Sequence, residues 1–426
     1  MIITRIKTPS ALRAPPPFQK TEMGEECKSK LNTKICFHPN NPFSFSQICS
    51  SIWGKPGWGP GFGYNFLMPH FTRNTQYVTF IFLLSSFIFS CSTPTPIPLS
   101  AESSLYIFRF TPPALLEFDS NFNIAREIPL NLPCQLTSTH PAPSGRYLAL
   151  ELACANGPLV QIVDPLTGEA TIPFTDVDSH FLAWDLDNGL YLRVDALGNA
   201  RLMRVVTNGP AGQFPLSAPT YDMDFAPDDR SLIYSFTRGL GLGSEFWAAT
   251  NTGSRTWQLH ADRDSIITFA RWSPDGKSIA FIIMPDSAIP FPLGELWIMD
   301  ADGKDPRPLA PADAGHGYAS AWSPDSTRIA FVGRENPDDP RADQVAGALV
   351  SNIYIVDVTT GQITQVTHFE EILVESPVWS ADGHFLAFSV VSINDTINIW
   401  IADLASGAVM PLESRGPACC PSWIRK

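Results

Sequence analysis

Phe269-Ala270-Arg271-Trp272-Ser273-Pro274-Asp275-Gly276-Lys277-Ser278-Ile279-Ala280-Phe281 reads as an apolar strand ending at a tryptophan, a tight turn and a second apolar strand. It recurs as Ala321-Trp322-Ser323-Pro324-Asp325-Ser326-Thr327-Arg328-Ile329-Ala330-Phe331 and as Val378-Trp379-Ser380-Ala381-Asp382-Gly383-His384-Phe385-Leu386-Ala387-Phe388. Each copy is followed by a second pattern: Glu295-Leu296-Trp297-Ile298-Met299-Asp300, Asn352-Ile353-Tyr354-Ile355-Val356-Asp357 and Asn398-Ile399-Trp400-Ile401-Ala402-Asp403. Proline at the second turn position pre-sets φ, and glycine tolerates positive φ. The alternation in Leu296 to Met299 predicts a third strand, and the turn Ala301-Asp302-Gly303 leads to a fourth at Arg307-Pro308-Leu309. One such meander cannot bury both of its faces, whereas repetition around an axis can. The sequence is therefore all-β and predicts a β-propeller of four-stranded blades.

Taking Trp272 as anchor, equivalents fall at Pro141, Trp184, Phe225, Trp322, Trp379 and Trp423. The steps between successive anchors are 43, 41, 47, 50, 57 and 44 residues, close to the 40 to 50 expected of a blade. After Trp423 the chain stops, leaving an inner strand without its blade. Three strands before the first anchor, at Leu105-Tyr106-Ile107-Phe108, Leu115-Leu116-Glu117-Phe118 and Ala125-Arg126-Glu127-Ile128, supply what is missing. Pairing of the C-terminal strand with these three closes the ring without an open edge. Seven blades follow, or six if the irregular Trp184 repeat is not a full one.

The body from about residue 104 to 426 resembles the WD40-like (PD40) repeats of the TolB C-terminal propeller, also used by the N-terminal propellers of prolyl-oligopeptidase-type peptidases. The likeness is strongest at Trp272 to Gly303, in Trp-Ser-Pro-Asp-Gly and Leu-Trp-Ile-Met-Asp-Ala-Asp-Gly. It implies a periplasmic or surface binding propeller.

The 426 residues carry 29 Lys plus Arg against 42 Asp plus Glu, a net charge of -13, which argues against nucleic acid as a partner. The charge is unevenly placed: residues 1–91 hold 9 basic and 3 acidic residues, and residues 92–426 hold 20 and 39. Between these parts Val78 to Ser90 is 13 residues without a charge. A helix of that length falls short of a bilayer and fits a signal-peptide h-region. Ile88-Phe89-Ser90-Cys91 resembles a bacterial lipobox, with Cys91 as the acylated residue. Residues 68–91 are then a lipoprotein signal beginning at Met68, residues 92–103 a Pro-rich tether, and residues 1–67 a non-native or disordered extension. The body is expected outside the cytoplasm, on the membrane through its lipid alone, and monomeric.

Enzyme motifs are not found. There is no G-x-S-x-G string, no H-E-x-x-H pair, and Gly276-Lys277-Ser278 lacks a phosphate-binding loop. The body's histidines, at 140, 180, 260, 316, 368 and 384, are expected at the surface. The chain ends with the propeller, leaving no residues for a hydrolase domain. Asp300 to Asp305 reads as a hairpin turn rather than an ion-binding loop, so neither metal nor other cofactor is expected. The expectation is a non-enzymatic propeller that binds an envelope protein or a cell-wall glycan. The alternative is a hydrolase or other carbohydrate-active enzyme whose site is assembled from dispersed propeller loops.

Long connections between second and third strands recur at Thr237 to Ser244, Met284 to Gly294, Gly333 to Ser351 and Val391 to Thr396. They share one face, where long loops on a rigid scaffold carry function. Candidate binding residues there are Arg238, Glu245, Asp286, Arg334, Glu335, Asp338, Asp339, Arg341, Asp343, Asn394 and Asp395, with Gly333 to Ser351 expected to form a polar, partly mobile lid. Cys134, Cys154, Cys419 and Cys420 are an even set of candidate disulfide cysteines in an oxidising compartment. A bridge between the first two and the last two would lock the ring's closure, the alternative being buried thiols.

Overall fold

The computed structural model describes residues 103–196, 198–207, 209–216, 220–314, 319–392 and 396–425. The segments 1–67 and 68–91, the tether apart from Ser103, and Cys91 itself lie outside the described residues.

Within them the strands form seven four-stranded antiparallel sheets, the blades of a propeller. The first blade contains β1 (Ser103–Phe110), β2 (Pro113–Phe118) and β3 (Ile124–Pro129). The second is β4 (Gln135–Pro141), β5 (Leu148–Cys154), β6 (Gly157–Val163) and β7 (Ala170–Thr171). The third, β8 (Asp178–Trp184), β9 (Gly189–Ala196), β10 (Asn199–Val206) and β11 (Ala211–Gln213), makes the Trp184 repeat a full blade. The fourth is β12 (Thr220–Phe225), β13 (Ser231–Thr237), β14 (Ser244–Thr250) and β15 (Thr256–Asp262). The fifth is β16 (Ser265–Trp272), β17 (Ser278–Pro285), β18 (Leu293–Asp300) and β19 (Arg307–Asp313). The sixth is β20 (Ala321–Trp322), β21 (Arg328–Arg334), β22 (Ser351–Asp357) and β23 (Ile363–Gln365). The seventh is β24 (Leu373–Trp379), β25 (Phe385–Val391), β26 (Ile397–Asp403) and β27 (Val409–Pro411), and β28 (Ala418–Arg425) returns to complete the first.

That return is the predicted closure. β28 pairs antiparallel with β1, Leu105 opposite Trp423 and Phe108 opposite Cys419, so the sheet order is β28-β1-β2-β3.

The core lies between blades rather than within one. Leu105, Ile107, Leu116 and Phe118 of the first blade pack on Ala387, Ile399 and Ile401 of the seventh. Tyr106, Phe108 and Leu115, on the opposite face of the same sheet, pack on Leu136, Leu148 and Leu150 of the second. Clusters of the same kind fill the other five seams. The anchor tryptophans add a polar tie across three of these seams. Trp184 Nε1 donates to the His140 carbonyl at 3.0 Å, Trp322 to that of Arg271 at 3.1 Å and Trp379 to that of Ala321 at 2.9 Å. Each acceptor directly precedes the previous blade's anchor.

The Ser-Pro-Asp-Gly turns repeat in atomic detail. Ser273 Oγ donates to Asp275 at 2.7 Å and accepts from the Ser278 amide at 3.0 Å, and Ser323 and Ser380 do the same in their blades. Gly276 takes φ of 70°, the left-handed conformation in which glycine carries no steric penalty.

The cysteines pair otherwise than expected. Cys134 bonds Cys154 and Cys419 bonds Cys420, so no bridge crosses between the two groups. The register explains it: Gln135 faces Ala153 and Leu136 faces Leu152, which sets Cys134 opposite Cys154 within one blade, at a Cα separation of 5.1 Å.

Candidate functional site

First strands of several neighbouring blades abut one another, and in most blades the register of this strand slips within a few residues of the anchor. Slips occur between Leu136 and Ser138, Phe181 and Ala183, Thr220 and Asp222, Thr268 and Arg271, and Glu375 and Val378. A bulge of this kind leaves one residue unpaired and re-aims its side chain. Counting back three from the anchors gives Ser138, Phe181, Asp222, Phe269, Ala319, Ser376 and Cys420. Two of them, Ser138 and Asp222, carry polar clusters.

The densest cluster spans the second and third blades. Ser138 and His140 share one face of β4, and Glu151 lies opposite Ser138 on β5. Ser138 Oγ lies 2.8 Å from His140 Nε2 and donates to Glu151 Oε2 at 3.0 Å. Glu151 Oε1 accepts the Phe181 amide at 3.2 Å and lies 3.7 Å from His180 Nδ1, while His140 Nε2 is 3.5 Å from Oε2. The Phe181 ring stacks on the His140 imidazole at 3.9 Å, fixing its plane. The carboxylate is 22% exposed and the His140 ring 30%. Burial alone would raise the Glu151 pKa, but the hydrogen bonds and charges of His140 and His180 outweigh it and hold the carboxyl well below its ordinary value. The result is an ionised carboxylate between two imidazoles with a hydroxyl beside it, a set able to take and return a proton. It is not a Ser-His-acid triad, because serine and carboxylate meet the same ring nitrogen. Sequence reasoning put these histidines at the surface. Their partner is supplied by the neighbouring strand, and only His180 falls next to a bulge position.

A second polar group joins the fourth and fifth blades. Asp222 accepts from the Ala270 amide at 2.8 Å and from Arg271 Nη1 at 2.9 Å, and Asp224 accepts the Trp272 amide at 2.8 Å. Burial pushes the Asp224 carboxyl up to about 6 against the opposing pull of Arg271. These carboxylates tie down the bulged stretch of β16, where Phe269 has φ of 53°.

Several candidate residues of the long loops are structural. Arg334 is the last residue of β21, and its side chain is 0% exposed, so it is not a binding-face group. It ion-pairs with Asp313 and Asp343, each at 2.9 Å, and donates to the Phe291 carbonyl at 2.8 Å. Phe291, Ala342, Leu349 and Leu373 form a small core beneath this loop. Glu245 lies in β14, where it pairs with Arg238 at 3.2 Å and accepts from Trp247 Nε1. Asp286 caps the Gly243 amide at 2.8 Å, joining two loops, and Glu335 accepts from Tyr354 Oη at 2.5 Å. Arg341 chelates Asp339 at the surface, where Asp338 is exposed. Asn394 and Asp395 lie outside the described residues. The loop face is thus cross-braced, and the inner-strand cluster offers the more concentrated chemistry.

No family model matches this chain. Among curated proteins it is 25% identical over 174 residues to dipeptidyl-peptidase 5 of Porphyromonas gingivalis, covering 38% of this chain and 24% of that one. The chain therefore spans about a quarter of the length of the curated relative it matches. Among solved structures it is similar to a puromycin hydrolase, with a TM-score of 0.52 and 14% identity over 73% of this chain and 52% of that one. TolB from Acinetobacter baumannii is also similar, with a TM-score of 0.45 and 14% identity over 76% and 67%. The β-propeller expected from the repeats is the architecture the chain has. The expectation of a non-enzymatic chain is overturned, since the curated relative is a peptidase and a hydrolase shares the fold. The missing serine motif and the position of the last blade do not exclude catalysis.

Proposed function

We propose that this chain is a hydrolytic propeller acting on peptides, with a site assembled from dispersed inner-strand residues. The observation that carries the reading is Glu151, held ionised between His140 and His180 beside Ser138. In this role His140 takes a proton from the attacking water and returns it to the leaving amine, the ionised Glu151 orients the imidazole and stabilises its protonated form, and Ser138 orients the substrate carbonyl. The sequence likeness to a dipeptidyl-peptidase supports peptides as the substrate class. Incubating the purified chain with a panel of dipeptidyl p-nitroanilides tests it. Turnover that falls about 100-fold or more in Glu151→Gln is expected. A wild-type chain that neither cleaves nor saturably binds any of them overturns the reading.

The same proposal places the protein outside the cytoplasm, anchored through Cys91, with envelope protein or wall peptide as its natural target. The uncharged run 78–90 and the two disulfides support this location. Cys91→Ala should lose fatty-acid labelling and leave the membrane fraction, and continued labelling of that variant rejects the anchor.

A further inference from the structure

Cys419 and Cys420 are joined to each other although they are neighbours in sequence, and the fold gives this bridge no structural task. A disulfide stabilises by closing a loop in the unfolded chain, and the effect grows with loop length. Cys134–Cys154 spans 20 residues and ties β4 to β5, whereas Cys419–Cys420 spans one and ties nothing that the peptide bond does not. Nor is it needed to shape the strand. Cys420 and Pro421 together oppose the single Ile107, and Cys420 has φ of 63°. Phe269 and Ser376, at the same place three residues before their anchors, adopt φ of 53° and 51° without any bridge. The bulge at Cys420 is held independently, since its amide donates to Ser389 Oγ at 3.4 Å and its carbonyl accepts from Thr139 Oγ1 at 3.2 Å.

We propose that Cys419–Cys420 is a redox-active site on the edge strand of the shared blade, exchanging two electrons with dithiols while the propeller stays folded. Cys419 is buried and Cys420 half-buried, so the incoming thiolate attacks Cys420 Sγ. The S–S bond breaks with Cys419 as leaving thiolate, and a mixed disulfide forms. The second thiol of the reductant attacks its own sulfur in that disulfide and releases Cys420, so the dithiol leaves as a cyclic disulfide and its two protons end on the two cysteines. The reduced pair presents two adjacent thiols able to chelate a thiophilic centre such as a trivalent arsenical.

The native protein, titrated with dithiothreitol and quenched with iodoacetamide, reports the order of opening by peptide mapping. Cys419 and Cys420 should be alkylated, in a quench that unfolds the chain, while Cys134–Cys154 is still intact, and the thermal midpoint of the reduced, unquenched species should fall by no more than a few degrees. Phenylarsine oxide added to the unquenched species should bind one per chain. Binding should survive in Cys134→Ser/Cys154→Ser and vanish in Cys420→Ser. Opening of both bridges together, opening only as the fold is lost, or arsenical binding that follows Cys134 and Cys154 overturns the proposal.

Discussion

Arg334 and Asp313 sit entirely out of water, and Asp343 joins them at the edge of the same pocket. Removing one member of such a pair leaves an uncompensated buried charge, a larger penalty than the net worth of the pair. Arg334→Ala should therefore lower stability by about 3–5 kcal/mol in urea unfolding. Arg334→Met with Asp313→Leu should recover most of that loss, because the pocket already contains Phe291, Ala342 and Leu349. A single variant no less stable than wild type would mean that water reaches the pair. Asp224 makes the opposite kind of prediction. Its folded pKa of about 6 lies above the ordinary carboxyl value of 3.8, so the folded state binds the extra proton between these values. Stability from this group is present at low pH and is lost as pH rises through about 4 to 6, by up to about 3 kcal/mol at ~1.4 kcal/mol per unit. Asp224→Asn should remove that slope and be relatively more stable at neutral pH, read by thermal unfolding across the range. Glu151 has the reverse sign: its lowered pKa contributes stability that is present above the ordinary carboxylate value and is lost on acidification.

At the scale of strands and loops, sequence legibility follows how local the cause is. The Ser-Pro-Asp-Gly turn states its own conformation, because Ser273, Asp275 and Gly276 bond one another within four residues. The blades were legible for the same reason, and so was the closure, since three strands stood before the first anchor and one after the last. What the sequence concealed depends on register between strands. Cys134 meets Cys154 because Leu136 faces Leu152, and His140 meets Glu151 because a bulge slips β4 against β5. Arg334 looked like a loop charge, and only the approach of Phe291 from the preceding blade buries it. The Cys134–Cys154 bridge carries the element-scale prediction. Closing about 20 residues is worth about 3 kcal/mol in the chain-entropy account. Cys134→Ala/Cys154→Ala should lose about that much, whereas opening Cys419–Cys420 by reduction, with both side chains kept, should lose about 1 kcal/mol or less by the same relation. Equal losses from the two pairs would contradict the assigned pairing.

For the ring as a whole, β28 is the element on which closure depends. It contributes Cys419 and Ile424 to the seam with the second blade and Ala418 to the seam with the seventh. Both neighbours of the first blade therefore depend on one strand of eight residues. Without it, β1 presents an unpaired edge beside the apolar side chains of Leu105, Ile107 and Phe108, the arrangement most prone to pair with another chain. A chain ended at Pro417 should lose more than the roughly 5 kcal/mol that separates a marginal domain from its unfolded state. It should elute as oligomers in gel filtration, because the exposed edges of two copies can satisfy each other. A synthetic peptide covering residues 417–425 supplies the missing edge in trans, so its addition should restore a monomer with a single cooperative transition. A scrambled peptide of the same composition should not, because closure requires Leu105 opposite Trp423 and Phe108 opposite Cys419. If the shortened chain remains monomeric with an unchanged midpoint, the ring is held by its six uninterrupted blades and the shared one is dispensable.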